Sequence, residues 1–229
     1  MNSEVMNLSV AEIEERTFIG RVYRWMGLGL LLTAITAYFV VNSNFVYTLA
    51  ENSILFFGLI IAELGLVIFL SARIQKMSAE AATASFIIYS ILNGVTLSLI
   101  LLVYTGASIA STFMTTALTF GAMSAYGYFT KRDLTTMGSY LQMGLIGLII
   151  ASVINIFWAN GTMYWIISYV GVLLFVGLTA YDTQKIKRMG AVVEGVQTTQ
   201  KMAIMGALML YLDFINLFLM LLRILGDRK

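Results

Sequence analysis

The chain has 229 residues, of which 59% are hydrophobic and 11% are charged, and its formal net charge is +2. Soluble domains average about 45–50% apolar residues and about 25% charged residues. This composition, with apolar segments along the whole chain, therefore indicates a polytopic membrane protein. The sequence has no histidine, cysteine or proline, which excludes disulfides, Cys/His zinc sites, haem bound through His or Cys, and catalysis by either side chain.

Uncharged stretches locate the predicted membrane-spanning helices, because a span needs about 20 predominantly apolar residues. Two of these stretches are too long for one helix and break at turn-forming sequences, Tyr104–Ser108 and Asn160-Gly161. The seven spans that result cover about residues 24–42, 53–72, 81–103, 108–130, 136–158, 163–185 and 202–223. We therefore predict one all-α membrane domain over residues 1–229, a bundle of seven transmembrane helices that follows an N-terminal segment of residues 1–20.

The basic residues of the loops fall in alternate connections. They are Arg73 and Lys76, then Lys131 and Arg132, then Lys185, Lys187, Arg188 and Lys201, and the other three loops carry no Lys or Arg. The positive-inside rule then places the N-terminus and these basic loops in the cytoplasm. The seventh segment conflicts with this rule, because a full span puts Arg223, Arg228 and Lys229 on the outer side. The alternative is a re-entrant segment that returns to the cytoplasm.

Two aspartates lie where charge is costly in a membrane protein. Asp182 ends the sixth predicted span and Asp213 lies near the middle of the seventh, each on a polar stripe of its helix. Both stripes are expected to face the bundle interior, which makes the two helices potential neighbours. Two carboxyls at hydrogen-bond distance in a low-dielectric interior cannot easily both ionise. We therefore predict a proton switch that joins the two helices when it holds one proton and repels them when fully ionised.

The same two aspartates admit other interpretations. When ionised, Asp182 and Asp213 could supply part of a hard-cation site such as one for Ca²⁺, which takes 6–8 oxygen ligands. Alternatively, each aspartate caps or hydrogen-bonds a neighbouring helix and has no role in transport. An aspartyl protease would use the same pair.

Further ionisable and polar residues within or beside the spans are candidates for a gate or pore. Glu63 has apolar flanks in the second span and either lines the same cavity or sits protonated against another helix. Arg73 either snorkels to the interface or reaches inward to pair with an aspartate. Asn216 and Arg223 share the polar stripe of Asp213.

Two asparagines are predicted to join helices rather than to bind a ligand. Asn93 lies in the third span and Asn155 in the fifth. Side chains of this kind commonly form hydrogen bonds between membrane helices, worth ~0.6 kcal/mol each.

Three segments of the chain resemble the transmembrane Bax inhibitor motif family, in particular its bacterial members. They are Gly127–Leu134 (GYFTKRDL), Ala180–Ile186 (AYDTQKI) and Leu210–Gly226 (LYLDFINLFLMLLRILG). The resemblance covers all seven hydrophobic segments and implies a seven-helix fold with a central last helix and a pH-sensitive calcium leak. It maps the paired-aspartate sensor of the family onto Asp182 and Asp213, and its helix-two acid and base onto Glu63 and Arg73. In such proteins the arginine is thought to engage the last-helix aspartate in the closed state.

These observations favour a pH-sensitive cation leak channel of the bacterial inner membrane, in which H⁺ and Ca²⁺ compete at the aspartate pair. We expect no cofactor, no enzymatic activity and no nucleic-acid partner, and we expect the lipid bilayer and Ca²⁺ as partners. The alternative is an interaction protein without ion flux of its own, because some bacterial relatives associate with a membrane-bound AAA protease and restrain it. A proton-coupled exchanger is the third hypothesis.

Overall fold

The structure is a computed structural model that describes residues 2–193 and 195–229, and of residues 2–12 the backbone alone. Eight α-helices follow one another within the described residues. They are α1 (Asn2–Val41), α2 (Phe45–Glu51), α3 (Ser53–Arg73), α4 (Ala79–Val103), α5 (Gly106–Phe129), α6 (Thr135–Phe157), α7 (Gly161–Gly190) and α8 (Val196–Leu225). No β-strand occurs among the described residues, which confirms the predicted all-α architecture.

Six of these helices are long and apolar enough to cross a membrane, namely α1 from Ile13 onward, α3, α4, α6, α7 and α8. Helix α5 coincides with the fourth predicted span and is 24 residues long, but its most apolar stretch is less apolar than those of the other six. Its buried face carries hydroxyl groups at one-turn spacing, from Ser108, Thr112, Thr116 and Ser124. The multi-pass character is therefore supported, whereas the count of seven spans stays a prediction.

Three helices extend further than the uncharged stretches that located them. Helix α1 begins at Asn2 and not near residue 24, α7 continues to Gly190, and α8 begins at Val196. A helix outside the apolar layer keeps its own backbone hydrogen bonds and tolerates charge, so an uncharged stretch marks the apolar part of a helix and not its ends. The basic side chains of Lys187 and Arg188 in the last turn of α7 also suit the negative end of a helix.

The last helix is uninterrupted and well buried. It is 30 residues long, which corresponds to about 45 Å, and 67% of its most apolar stretch is buried, against 44% in α7 and 6% in α3 and α6. A continuous helix of this length does not fold back, which favours a full span over a re-entrant segment.

The chain after α8 is tied to the turn that precedes α5. The backbone N–H of Thr105 donates to the carbonyl of Asp227 over 3.0 Å, and the N–H of Asp227 donates to the hydroxyl of Ser108 over 2.8 Å. The guanidinium of Arg228 hydrogen-bonds the hydroxyls of Tyr104 and Tyr164, which raises the pKa of Arg228. The end of α8 therefore lies at the α4–α5 turn, one of the connections without Lys or Arg.

The helices form two compact units, of which the first comprises Met1–Val103, Ile186–Tyr211 and Lys229. Within it, α1 and α3 both pack on α4. The contact between α1 and α4 is closest at Gly94, where a methyl group would collide with the backbone of Thr33.

The second unit comprises Tyr104–Lys185 and Leu212–Arg228. Its interior contains an aromatic group in which Phe214 of α8 meets Phe113 and Phe120 of α5, each edge to face with ring centres 5.4 Å apart. This contact fixes the second half of α8 against α5.

Candidate functional site

The second unit brings Asp182 of α7 and Asp213 of α8 together, and their side chains hydrogen-bond each other. Asp213 is almost completely buried, with 4% of its surface exposed, whereas Asp182 is partly exposed. An ionised carboxylate only accepts hydrogen bonds, so a hydrogen bond between two carboxyls requires a proton on one of them. The pair in this geometry therefore holds at least one proton.

Close packing of small residues sets the position of Asp182. Ala180 lies against Gly127 of α5, and Tyr181 lies against Gly138 of α6, so closely that a methyl group at either glycine would collide with its neighbour. Glycine at these two positions allows α7 to approach both helices. The two residues that precede Asp182 are therefore wedged between α5 and α6.

Hydrogen bonds hold the two residues that follow Asp182. The hydroxyl of Thr183 shares a hydrogen bond of 2.9 Å with the hydroxyl of Ser124 on α5. The amide of Gln184 donates to the carbonyl of Arg132 over 2.8 Å and accepts from the N–H of Leu134 over 2.9 Å. The α5–α6 loop is thus tied to the same turn of α7 that carries the acid.

The environment of Asp213 is different, because one of its carboxyl oxygens has no donor other than the facing acid. Within residues 13–193 and 195–229, whose side chains the structure describes, Oδ2 of Asp213 and Oγ1 of Thr112 are the buried side-chain polar atoms without a backbone, amide or hydroxyl partner. An unsatisfied buried polar atom typically costs about 1–3 kcal/mol, and more when the group is charged. The site therefore disfavours an ionised Asp213 unless a cation or a water molecule approaches Oδ2.

The charges around the pair are also unequal. Lys185 lies one turn from Asp182, so that its charge attracts the ionised form of Asp182, and its ammonium lies 5.9 Å from the ring centre of Tyr181. The strongest charge acting on Asp213 is that of Asp182 itself, which is repulsive. The two acids therefore face unequal charges.

A cation at this pair would need most of its ligands from other groups. Among the described residues, no group of three or more Asp or Glu side chains is close enough to hold a metal ion. Calcium takes 6–8 oxygens, and Asp182 with Asp213 supplies two carboxylates. Such a site suits a cation in transit better than one held tightly.

Three of the other predicted gate or pore residues have no described contact with this pair. The amide of Asn216 donates to the carbonyl of Leu212 in its own helix over 2.8 Å. The guanidinium of Arg223 stacks on Tyr164 with 5.4 Å to the ring centre, about 15 Å further along α8 than Asp213. Arg73 is exposed in the last turn of α3, and its pairing with an aspartate stays a prediction.

Asn155 closes a turn in this structure. Its side-chain oxygen accepts from the backbone N–H of Asn160 over 3.0 Å, in the connection between α6 and α7. The described hydrogen bond of Asn155 therefore joins the end of α6 to the turn that follows it. A link from Asn155 to a second helix stays a prediction.

Glu63 is buried in the first unit, against α4. Its Oε1 accepts from the hydroxyl of Thr96 over 2.8 Å, and its Oε2 accepts from the amide of Asn93 over 3.3 Å. Of the two sequence-based alternatives for Glu63, this geometry corresponds to an acid packed against another helix. Asn93 makes the predicted link between helices.

The hydrogen bonds continue beyond Asn93 to two residues that the sequence analysis missed. The hydroxyl of Tyr211 on α8 lies 3.1 Å from Oδ1 of Asn93 and 2.6 Å from the hydroxyl of Thr33 on α1. Both residues are buried, and Tyr211 is fully so. A tyrosine in the middle of an apolar helix was the available signal, since a buried tyrosine hydroxyl usually has a partner.

Comparisons with known proteins agree with the membrane fold and with the resemblance of the sequence motifs. The sequence model of the family described as Inhibitor of apoptosis-promoting Bax1 matches residues 15–229. The chain is 55% identical over 217 residues to Inner membrane protein YbhL of Escherichia coli K12, covering 93% of both chains. It is 46% identical over 214 residues to a protein of Borreliella burgdorferi (93% and 92% covered), and 45% identical over 216 residues to a protein of Rickettsia prowazekii (93% and 91%). The chain therefore belongs to the Bax inhibitor family, which confirms the resemblance found in its sequence motifs.

Proposed function

We propose that this protein is a proton-gated cation leak in a bacterial inner membrane and that the gate is the Asp182–Asp213 pair. The observation that carries the proposal is the hydrogen bond between the carboxyls of Asp182 and Asp213 at a site where Asp213 is almost completely buried and where its Oδ2 has no donor other than the facing acid among the described residues. This arrangement is stable with one proton between the two acids and unstable without it. Calcium as the ion comes from the family resemblance.

The gating step follows from the proton count. With one proton the carboxyls are hydrogen-bonded and α7 stays next to the second half of α8, which is the closed state. Loss of that proton leaves two negative charges in a low-dielectric site, where their repulsion is strong. The carboxyls then separate or take up a cation, so H⁺ and Ca²⁺ compete for the same oxygens.

The arrangement in the membrane is part of the proposal. We propose that α1 and α3 to α8 make seven spans, with α5 included because its hydroxyls turn inward, and that the N-terminus faces the cytoplasm. The positive-inside rule supports this orientation. The printed name of the E. coli relative, an inner membrane protein, supports the location.

The decisive experiment is Ca²⁺ flux into protein-free liposomes that contain the purified protein, measured over a pH series. Wild type is compared with Asp213→Asn and with Asp227→Asn, which makes the same chemical change at an exposed aspartate. An asparagine at 213 can hydrogen-bond Asp182 without a proton. We therefore expect low flux that no longer depends on pH in Asp213→Asn, and a wild-type profile in Asp227→Asn.

Three outcomes contradict the proposal in different ways. An unchanged pH profile in Asp213→Asn places the gate elsewhere. The absence of flux in wild type favours the interaction protein that modulates a membrane-bound AAA protease or a stress-response partner. A stoichiometric counterflow of protons identifies an exchanger.

A further inference from the structure

A continuous line of hydrogen-bonding groups, buried except for the partly buried Thr96, crosses the first unit. It runs from the hydroxyl of Thr33 on α1 to the hydroxyl of Tyr211 on α8, then to the amide of Asn93 on α4 and the carboxyl of Glu63 on α3, with Thr96 at the end. We call these five residues the Glu63 chain. The proposed function makes no use of it.

The charge of Glu63 has no cation to balance it among the neighbours described in this unit. The titratable groups that face it are two tyrosines, Tyr89 on α4 and Tyr211 on α8. On α1 the chain ends at the hydroxyl of Thr33, and on α3 no second titratable group faces Glu63. An ionised Glu63 therefore depends on neutral donors, from Thr96 and Asn93.

The donors of the chain can be counted for an ionised Glu63. Thr96 and the amide nitrogen of Asn93 donate to the carboxylate, Tyr211 donates to the amide oxygen, and Thr33 must donate to Tyr211. Each hydroxyl has one proton to give. The hydroxyl oxygen of Thr33 then lies 2.9 Å from the carbonyl oxygens of both Gly29 and Ser90 with no proton toward either.

The hydrogen bonds of the chain run in the opposite direction when Glu63 is protonated. The carboxyl O–H donates to the side-chain oxygen of Asn93, after the amide has rotated by 180° so that its oxygen and nitrogen exchange places. Which of these two orientations an asparagine adopts is assigned from its hydrogen-bond network. The amide nitrogen of Asn93 then donates to Tyr211, Tyr211 donates to Thr33, and Thr33 donates to one of the two carbonyls. The 2.9 Å contacts of Thr33 therefore suit the protonated form better.

We propose that Glu63 is a second proton-binding site, separate from the aspartate pair, and that its protonation reverses the direction of every hydrogen bond from Glu63 to Thr33. The ligand is the proton itself. The reversal carries the protonation state of an acid on α3 to α1 without moving a helix, because only O–H bonds and one amide rotate. The proposal does not depend on ion flux.

Infrared difference spectra between acidic and alkaline samples of the full-length protein in liposomes test this proposal. A protonated carboxyl absorbs apart from a carboxylate, and tyrosine ring bands differ when the hydroxyl donates or accepts. Labelling the wild type with ¹³C-glutamate separates Glu63 from the two aspartates. We expect a buried glutamate band that titrates, and a tyrosine band that changes with the same midpoint.

Variants assign these bands. Glu63→Gln is expected to remove the buried glutamate band and to hold the tyrosine band at one position over the whole pH series. Tyr211→Phe is expected to remove the tyrosine change and to shift the midpoint of the glutamate band. Tyr89→Phe is the matched control, because Tyr89 is also buried and its ring lies 5.7 Å from that of Tyr211. It is expected to leave both bands as in wild type.

Two results overturn the proposal. One is a labelled wild type without a titrating buried glutamate, which needs no variant and holds even if Glu63→Gln fails to fold. The other is a glutamate band that titrates while the tyrosine band stays fixed. Because the bands of aspartate and glutamate are distinguished by the label, failure here is separate from failure of the aspartate gate.

Discussion

Asp213 and Glu63 are both acids buried in a low-dielectric interior, but their surroundings differ. Asp213 faces another carboxyl, and its Oδ2 has no donor other than that acid among the described residues. Glu63 faces two neutral donors, Asn93 and Thr96, and no second acid. The first arrangement is intact only while a proton lies between the carboxyls. The second keeps a hydrogen bond at every step from Glu63 to Thr33 with or without the proton, because the Glu63 chain is proposed to reverse.

This difference assigns different behaviour to the two sites. A site that loses its central hydrogen bond when it ionises separates its carboxyls, whereas a site that redirects hydrogen bonds keeps its side chains together. We therefore expect pH to change the packing of the second unit at Asp182–Asp213 and to leave the packing around Glu63 unchanged. The following predictions test that contrast.

The largest effect is expected from Gly127→Ala. The added methyl group meets the backbone of Ala180, which cannot turn aside as a flexible side chain can, so overpacking should destabilise the protein by about 3 kcal/mol. The matched control is Gly121→Ala on the same helix, where nothing lies within 4 Å. Unfolding in detergent micelles measures both. The variant should also displace Asp182 and alter its titration, and equal stability of the two variants would contradict the close contact of α5 with α7.

A smaller loss is expected from Glu63→Ala. The amide of Asn93 loses its acceptor in a buried place, which costs about 1–3 kcal/mol, while Thr96 can turn to the carbonyl of Asn93, 3.0 Å away. Glu51→Ala, at an exposed glutamate, is the control and should change the free energy of unfolding little. If Glu63→Ala were as stable as this control, the described hydrogen bonds would contribute nothing.

Asp213→Asn should have the opposite sign. The amide removes a charge and donates to Asp182, so this variant should gain about 1–2 kcal/mol of stability in alkaline solution. The gain should shrink as pH falls, because both aspartates of the wild type are neutral in acid and no longer repel. Unfolding of both proteins over a pH series measures the gain. A loss of stability at high pH would show that the pair is held by something other than its shared proton.

The smallest effect is expected from Tyr211→Phe, which removes one hydroxyl from the Glu63 chain. Hydrogen bonds between membrane helices are worth ~0.6 kcal/mol on average, and a loss of about that size is expected. Tyr89→Phe should cost less, since the Glu63 chain does not include the hydroxyl of Tyr89. The two variants are compared by the midpoint of unfolding under the same conditions.

Local patterns were enough to predict the helices and the aspartate pair. Uncharged length locates a span, and spacing along a helix places Asp182 and Asp213 on inward faces. The contacts that join distant segments of the chain were missed in the sequence analysis. The partners of Glu63 lie on other helices, and the aromatic ring that holds Arg223, from Tyr164, lies about sixty residues earlier in the chain. No periodicity in α3 or α8 contains that information.

The two residues that precede Asp182 restrict the movement of one member of the aspartate pair. Ala180 and Tyr181 rest against Gly127 and Gly138, so this turn of α7 cannot move closer to α5 or α6. The backbone that carries the carboxyl of Asp182 is thus held in place by its neighbours on α5 and α6. Separation driven by ionisation is therefore expected to turn the side chain of Asp213, while the contacts of Phe214 with α5 hold the backbone beside it, so spin labels on the second half of α8 would report little displacement of the helix.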